Sequence, residues 1–458
     1  MLRAKGTRRG SYSISVLLIL LLCWLWYSET LFDSAKIHIL VEANQGSVSP
    51  PCWNLPCTND ILVILRTGST ELDHRFPVHR STTLRCYKHH LVFSDLDEHY
   101  HGVHILDALE SVDINIRENH KDFDLYRRLK SHGRAALNAS EMSGSPAVLD
   151  HMSGHVQNPG WKLDKWKFMP MVNTTFHKYP NMKWYVFVEA DTFLLWPMLL
   201  QYLSLLDHTK AHYVGAGACL GNHLFAHGGS GFVASQPAMQ SVTQHYAANK
   251  SEIEALTDRE WAGDFILGKA FNDAGVPTTD AWPHFQGDYP GLVAYAGPDG
   301  RYAPAVSLRE WCYPTISYHH MSPEMIRDLW IFEQHWISAN PNRTDALTHG
   351  DIFKDFVLPQ MMTGKSDWDN LSDNDEHDAT NRDDCRAKCE AQPDCKQYSF
   401  TEATKKCKTR VDPRLGTQRN GTRSDWLQAR VLEFARTAAP CGTESWQVGA
   451  ATRRTTCR

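Results

Sequence analysis

The chain has 458 residues, of which 42% are hydrophobic, 11% aromatic and 22% charged. This composition excludes a mainly disordered, collagen-like or coiled-coil protein, and at about 150 residues per domain it allows two or three domains. The formal net charge is −5, and the first ten residues contain four basic side chains and no acid, so the remaining chain is more acidic still. Binding to phosphate backbones needs a basic face, and we therefore expect no nucleic acid among the partners.

The N-terminal residues predict a membrane anchor. Residues 1–10 are basic, and residues 11–27 carry no charged side chain. At 1.5 Å per residue, a helix of this length spans about 25 Å, which is enough for a thin bilayer. We predict a cytosolic tail at 1–10, a signal-anchor helix at 11–27 and a stem at 28–57, with a cleaved signal peptide as the alternative. Either reading places the body in the secretory lumen, and an anchor would make it a type II protein of the Golgi or ER membrane.

Glycosylation sequons and cysteines agree with a lumenal location. Six N-x-[S/T] sequons begin at Asn138, Asn173, Asn249, Asn342, Asn370 and Asn420. Eleven of the twelve cysteines follow the apolar segment. Most of them should pair in an oxidising lumen, and an odd number leaves at least one unpaired. The sequence does not determine the connectivity, although Cys441 and Cys457 could pair with each other.

Alternating strand and helix patterns predict an α/β fold. Apolar runs at 60–65, 90–93 and 183–188 indicate strands, and the third run is apolar on both faces, as in a central strand covered on both sides. Helical patterns lie between and after these runs, including one at 122–129. Strands that alternate with helices are typical of a sheet with helices on its faces.

The C-terminal part differs in composition. Eight acids and one Arg occur within 367–384, and we predict an acidic linker at 361–384. Four cysteines then follow within 23 residues, at Cys385, Cys389, Cys395 and Cys407. This density predicts a small disulfide-rich module at 385–434, followed by a tail at 435–458.

The clearest candidate site is Glu189-Ala190-Asp191, at the end of the third predicted strand. Residues two apart in an extended chain point the same way, so both carboxylates can converge beyond the strand. Such a pair suits Mn²⁺ or Mg²⁺, which completes its coordination with phosphates and water. The alternative is a polar turn that ends a strand.

Three further segments could complete this site. The glycine run Gly228-Gly229-Ser230-Gly231 permits positive φ and close backbone approach. Asp264 precedes a helical pattern, so it is either a helix N-cap or a base in a cleft. His319 ends a short strand-like segment, where a histidine is more often structural than a ligand. Phe232 excludes the G-x-S-x-G elbow of hydrolases, which would need glycine at that position.

In this order, these segments resemble glycosyltransferase family 31, the family of the fringe proteins and core 1 β1,3-galactosyltransferases. The resemblance covers about 58–335, and we place the glycosyltransferase domain at 58–360. It rests on an aromatic-led strand that ends in Glu189-Ala190-Asp191, followed by Thr192 and Phe193, and on the segments 228–235, 261–268 and 316–319. Ala190 and Gly263 stand where the family usually has acids.

The resemblance implies a GT-A-type nucleotide-sugar-binding domain, a UDP-sugar donor and an inverting transfer to a glycan or glycoprotein acceptor in β1,3 linkage. On this basis Glu189, Asp191 and His319 would hold Mn²⁺, and Asp264 would be the catalytic base. Asp95 would contact the nucleoside, unless it only forms a turn, and Lys165 could approach the donor, unless it lies on a solvated face. A binding protein that has lost turnover is the alternative, and the departures at Ala190 and Gly263 favour it.

The 385–434 module resembles a PAN/apple domain of α+β type, with Cys-x3-Cys on a helix and a strand after Cys395. Such modules bind protein or carbohydrate, and a stapled spacer is the alternative. A rival zinc site would comprise His99, His101 and His104 with the His89-His90 pair, although surface histidines are the simpler interpretation.

Overall fold

The computed structural model describes residues 49–143, 158–295, 310–341 and 345–438, together with Cys441, Trp446 and Cys457. The predicted anchor at 11–27 lies outside these residues. Within the described part of the chain, no helix is long and apolar enough to cross a membrane.

The described residues contain seventeen strands and eleven α-helices. The strands are β1 Ile61–Arg66, β2 His89–Ser94, β3 Glu98–Tyr100, β4 Val103–Asp107, β5 Trp184–Glu189, β6 Phe193–Leu194, β7 Tyr213–Gly215, β8 Gly217–Leu220, β9 His223–Ala226, β10 Phe232–Ser235, β11 Thr278–Asp280, β12 Ser317–Tyr318, β13 Lys365–Asp369, β14 Asp375–Asp378, β15 Gln397–Thr401, β16 Lys406–Arg410 and β17 Thr417–Trp426. The helices are α1 Leu72–Ser81, α2 Ile114–Asn119, α3 Asp124–His132, α4 Pro159–Lys178, α5 Trp196–Ser204, α6 Gln236–Arg259, α7 Gly263–Asp273, α8 Pro323–Ala339, α9 His349–Ile352, α10 Arg382–Ala391 and α11 Gln428–Thr437.

An eight-stranded mixed sheet forms the centre of the larger part, in the order β11-β7-β10-β5-β1-β2-β4-β3. Strands β5, β1, β2 and β4 are parallel neighbours, whereas β10 pairs antiparallel with β5 and β7. The three strands predicted from apolar runs are β1, β2 and β5, and β5 is central, as predicted. This α/β arrangement is consistent with the GT-A-type fold that the resemblance implied.

The two faces of this sheet pack against different helices. Alternate residues of β1 point to opposite sides: Val63 joins a buried cluster with α5 and α8, and Leu62 joins one with α4, α6 and α7. All six residues of β1 are buried, because both faces of the strand are covered. The carboxyl ends of β1 and β5 are thereby held at one edge of the sheet.

A second, five-stranded antiparallel sheet builds the C-terminal module, in the order β13-β17-β15-β16-β14. Helix α10 carries Cys385 and Cys389, which bond to Cys407 and Cys395 respectively. The predicted linker at 361–384 instead contributes strands β13 and β14 to this sheet. Their acids pair with basic residues of the neighbouring strand, for example Asp378 with Lys406 at 2.9 Å. The acidic residues that predicted a solvated linker therefore belong to exposed edge strands of this sheet.

The module and the larger part share one core. Trp426 and Val431 belong to the same buried cluster as Val63. Arg414 is 1% exposed and donates from Nη1 to the backbone oxygen of Leu292 at 2.7 Å, and the Leu415 N–H donates to Gly291 at 3.1 Å. The two parts therefore lie in a fixed relation to each other.

Disulfides tie the C-terminal tail to the larger part. Cys441 bonds to Cys312, and Cys457 bonds to Cys219, so the suggested Cys441–Cys457 pair is wrong. Cys52, which was expected in the stem, bonds to Cys86 and is buried. Cys57 is the free, exposed cysteine among the described residues, in agreement with the predicted unpaired thiol.

One of the six sequons cannot accept a glycan in the folded chain. Asn370 is fully buried, and its side-chain amide donates to the backbone oxygens of Tyr398 and Asp425, each at 3.2 Å. Asn138 and Asn420 are exposed, and Asn342 lies outside the described residues.

Replacing Arg414 tests the shared core. We expect Arg414→Ala to lower the free energy of unfolding by about 3 kcal/mol, because it leaves the buried Leu292 carbonyl without a donor and removes one of the two arginines that pair with Asp412. Denaturant unfolding followed by tryptophan fluorescence measures this. Arg419→Ala is the matched control, since that arginine pairs with Asp369 at the surface and should change stability by less than about 0.5 kcal/mol. Equal effects of the two variants would contradict the interface.

Candidate active site

A cavity of about 510 Å³ opens at the carboxyl ends of β1 and β5. Ligands of open α/β sheets bind at such strand ends. Its walls come from the loop after β1, the starts of α1 and α7, helix α4, the β8–β9 hairpin, the glycine run and the residues after β12. Glu189, Asp191, Asp264 and His319 all line it, so the structure brings together four of the five predicted site residues.

Arg66 is the central cation of this cavity, and it is not among the site residues predicted from the sequence. It ends β1 with 5% exposure, and its guanidinium forms ion pairs with Asp164 of α4 and Glu189 of β5. It also lies 4.1 Å above the ring of Phe168. Burial opposes its charge, but the two carboxylates outweigh burial and raise the pKa of Arg66. An arginine that closes an otherwise apolar strand is the one signal that could have identified it.

Asp191 and His319 form the core of a candidate metal site. The His319 Nε2 atom lies 3.3 Å from Asp191 Oδ1 and 3.7 Å from Glu189 Oε2. The cluster that could hold an ion comprises Asp191, His319 and His320, whose ligand atoms all lie within 4.8 Å of one another. Glu189 borders this cluster, and His320 is an addition to the predicted set.

The electrostatics of the cluster fit a cation. Burial would raise the pKa of Glu189, but Arg66 and His319 lower it to about 2. Burial would lower the pKa of His319, but Asp191 and Glu189 raise it to about 10. In the metal-free protein a proton on His319 thus supplies positive charge beside the two carboxylates, in the place where a bound cation would supply it. Two carboxylates with imidazole nitrogen form a donor set that suits Mn²⁺.

Arg75 shares Asp191 with this cluster. Its Nη1 atom lies 2.9 Å from Asp191 Oδ2, and its Nε atom lies 3.1 Å from Glu71 Oε2. Glu71 lines the same cavity, and burial raises its pKa to about 7 in spite of Arg75. Helix α1 therefore contributes an ion pair at the edge of the candidate metal site.

The glycine run lies close against His319. A Cβ at Gly229 would come within 2.6 Å of His319 Nδ1, so no other residue fits there without moving the imidazole. The backbone oxygen of Gly229 accepts a hydrogen bond from Thr192 Oγ1 at 2.6 Å, and Gly231 has φ +78°. The close approach that the sequence predicted is therefore directed at the histidine and at the residue after Asp191.

Asp264 is the second residue of α7, and the N-cap is Ala262 rather than Asp264. Its carboxylate accepts hydrogen bonds from the N–H groups of Gly228 and Phe265, each at 2.9 Å. Burial raises the pKa of Asp264, and His227 and the Gly228 N–H offset part of that rise. A half-buried carboxylate with a raised pKa at a cavity wall is suited to accept a proton.

The structure accounts for one of the two departures from the family pattern, the glycine at position 263. A Cβ at Gly263 would lie 2.7 Å from the Cα atom of Lys165, so the packing of α7 on α4 leaves no space for an acid. Ala190 is 2% exposed and makes its hydrogen bonds through its backbone: its N–H donates to the backbone oxygen of Arg66 at 3.0 Å, and its own backbone oxygen lies 2.8 Å from His79 Nε2.

Asp95 lies beneath the cavity wall. It is fully buried, its Oδ2 accepts the Ser69 N–H at 2.7 Å, and its Oδ1 lies 2.7 Å from Lys167 Nζ. Lys167 itself lines the cavity. Asp95 therefore positions the loop after β1 and Lys167, and it is not itself among the residues that line the cavity.

The structure also places Lys165 and the histidines of the alternative zinc site. Lys165 lines the cavity, but its Nζ donates to the backbone oxygens of Asp258 and Glu260 at 3.1 and 3.2 Å rather than pointing into solvent. His99 and His104 stack at 4.8 Å, and His104 contacts Asp97. Among the described residues these histidines do not form a cluster with metal-binding geometry.

Comparisons with known proteins address the two parts separately. A family model described as Fringe-like matches residues 57–286, from just before β1 to just after β11. A model described as a PAN domain matches residues 362–419, which includes the acidic strands β13 and β14. A comparison with curated proteins found no match. His319 lies beyond the first match.

A substitution in the glycine run tests the candidate metal site. We expect Gly229→Ala to weaken Mn²⁺ binding about tenfold or more, because the added methyl group displaces His319 from Asp191. Isothermal titration calorimetry with Mn²⁺ measures this. Gly287→Ala is the control, since its Cβ would meet no heavy atom closer than 3.6 Å. Unchanged affinity in Gly229→Ala, or no Mn²⁺ binding by the wild type, would contradict the site.

Proposed function

The chain belongs to the Fringe-like family and is a glycosyltransferase with a C-terminal PAN domain, and from this premise we propose that it transfers a hexose from a UDP-sugar to a hydroxyl group of a glycan or glycoprotein. The proposed reaction forms a β1,3 linkage with inversion, and galactose is the first donor sugar to test. The observation that carries the proposal is that one cavity holds both a candidate metal site at Glu189, Asp191 and His319 and a half-buried carboxylate at Asp264.

The residues after β5 and β12 fit a divalent cation, Mn²⁺ or Mg²⁺. Asp191 and His319 would hold it, with Glu189 beside them. A cation bound there would neutralise charge that develops on the departing UDP. Arg66 keeps Glu189 ionised, because the guanidinium lies against its carboxylate in a buried setting.

Asp264 is the proposed general base. It would accept the proton of the acceptor hydroxyl as that oxygen attacks the anomeric carbon and the bond to UDP breaks. The N–H groups of Gly228 and Phe265 hold the carboxylate in one orientation. Its raised pKa brings it closer to the working pH, where a base combines ionisation with a useful proton affinity.

We further propose that the protein works in the lumen of the Golgi or ER, anchored through 11–27. Five disulfides among the described residues support an oxidising compartment. Protease protection of intact microsomes, combined with N-terminal sequencing of the mature chain, separates an anchor from a cleaved signal peptide.

Substitution of the base tests the mechanism. We expect Asp264→Asn to reduce sugar transfer by about 10²- to 10⁴-fold, because the amide cannot accept the proton, while UDP binding stays within a factor of about three. Release of UDP, with and without acceptor and Mn²⁺, measures transfer across a panel of UDP-sugars.

Asp273→Asn is the matched control, since this acid ends the same helix and pairs with Lys269 at the surface. Combined loss of UDP binding and folding in Asp264→Asn would point to a structural role. If wild type and Asp191→Ala behaved alike with every UDP-sugar, the binding-protein alternative would replace the enzyme.

The pH dependence of transfer follows from the raised pKa of Asp264. The base acts only when ionised, so kcat/KM should fall as the pH is lowered through the pKa of Asp264, and this fall should lie above the ordinary range of Asp near about 4. A pH profile of kcat/KM at saturating Mn²⁺ measures it. An activity that stays constant down to pH 4 would contradict Asp264 as the base.

A further inference from the structure

A second cavity of about 390 Å³ adjoins the active-site cavity. The two share three lining residues, Trp161, Lys165 and Trp261. The proposed transfer of a hexose to a hydroxyl makes no use of this second space. Its volume lies within the range of about 300–1,000 Å³ that is common for small-molecule sites.

Trp261 stands between the two cavities. It belongs to the short connection between α6, which ends at Arg259, and α7, which begins at Gly263. The indole is 62% exposed, the largest value for a large hydrophobic side chain among the described residues. The exposed indole offers a large, rigid apolar face to a ligand, and its N–H can donate a hydrogen bond.

The loop that carries Trp261 is held in place from below. Lys165 of α4 donates to the backbone oxygens of Asp258 and Glu260, and its Nζ lies 3.3 Å from Asp122. Asp258 in turn lies 2.8 Å from His120. The polar groups at the floor of the cavity are therefore paired with other protein groups, and these contacts fix the segment that carries the indole of Trp261.

The rim of the cavity carries polar groups that are free to bind a ligand. The side chains of Lys121, Lys162, Arg259 and Glu260 line it and make no ion pair or hydrogen bond with other described residues. They offer both hydrogen-bond donors and a carboxylate acceptor around two indole rings. This combination suits a ligand with one apolar face and a ring of hydroxyl groups.

We propose that the second cavity binds a pyranose unit of the acceptor, adjacent to the sugar whose hydroxyl approaches Asp264. The C–H face of a pyranose packs on the negative face of an indole, and its hydroxyls reach Glu260 and the rim cations. Trp261 and Asp264 both line the active-site cavity, so a sugar that packs on this indole adjoins the space that contains the proposed base. The inference rests on the proposed function and specifies its acceptor as at least a disaccharide.

Acceptor length tests this inference. The probes are p-nitrophenyl glycosides of single hexoses, the matching disaccharides, and glycopeptides that carry a single hexose. For the wild type we expect the KM of the best disaccharide to be at least tenfold below that of its single hexose. Trp261→Ala should abolish this difference, and Trp261→Phe should restore part of it, because the smaller ring retains a face for stacking.

The control is Tyr179→Ala, a partly exposed aromatic just after α4, at the opposite end of that helix from the cavity, which should leave the KM ratio unchanged. Calorimetric titration of the disaccharide provides a second readout that needs no turnover. A wild type that fails to distinguish chain length overturns the subsite, as does a Trp261→Ala ratio equal to that of the wild type. A gain that occurs only with glycopeptides would assign the cavity to peptide instead.

The proposed function can fail separately. If the wild type releases UDP from no UDP-sugar but binds the disaccharide through Trp261, the proposed transferase activity is wrong and the proposed sugar-binding cavity is retained. If it turns over the donor but Trp261→Ala affects single hexoses and disaccharides equally, the enzyme stands and the subsite is wrong.

Discussion

The buried guanidinium of Arg66 is the interaction on which the rest of the cavity depends. It ends the central strand β1 and lies between Asp164 of α4 and Glu189 of β5. Buried carboxylates take up protons unless a cation compensates them, and arginine keeps its charge at any working pH. Arg66 thereby connects the sheet to α4 and keeps Glu189 ionised beside Asp191. His319 lowers the pKa of Glu189 as well, and His319 and Arg75 lower the pKa of Asp191, so Arg66 is one of three cations that keep these buried carboxylates ionised.

Segments that are distant in the chain meet around this centre through contacts too close for ordinary side chains. Gly229 lies against His319, and Gly263 lies against the backbone of α4. Because a side chain is absent at these two positions, the backbone can pack closely there. Gly229 allows the imidazole of His319 to lie next to Asp191, and Gly263 allows α7 to pack on α4 with the Asp264 carboxylate at the cavity. The same packing leaves no space for an acid at position 263.

The sequence predicts the parts of the molecule whose signals are local. Buried strands β1, β2 and β5 show as apolar runs. The Glu189–Asp191 pair was located correctly at the end of β5, but Ala190 and Asp191 form a turn, closed by the Thr192 N–H donating to the Glu189 backbone oxygen at 3.0 Å, rather than an extension of the strand. Arg66 was missed because a single arginine after five apolar residues has no pattern of its own. Strands β13 and β14 were mistaken for a linker because an exposed edge strand lacks alternating hydrophobicity. The disulfides that join the tail to the larger part depend on tertiary proximity, which spacing does not encode.

The bond between Cys219 and Cys457 links one wall of the active-site cavity to a residue 238 positions later, beyond the PAN domain. During synthesis Cys219 of the β8–β9 hairpin cannot form this bond until the PAN domain and the residues after it have been translated. The cavity thus reaches its final covalent form only late in oxidative folding. An expression host without disulfide exchange, or a truncation made to remove the PAN domain, would deliver a glycosyltransferase domain whose cavity wall is untethered.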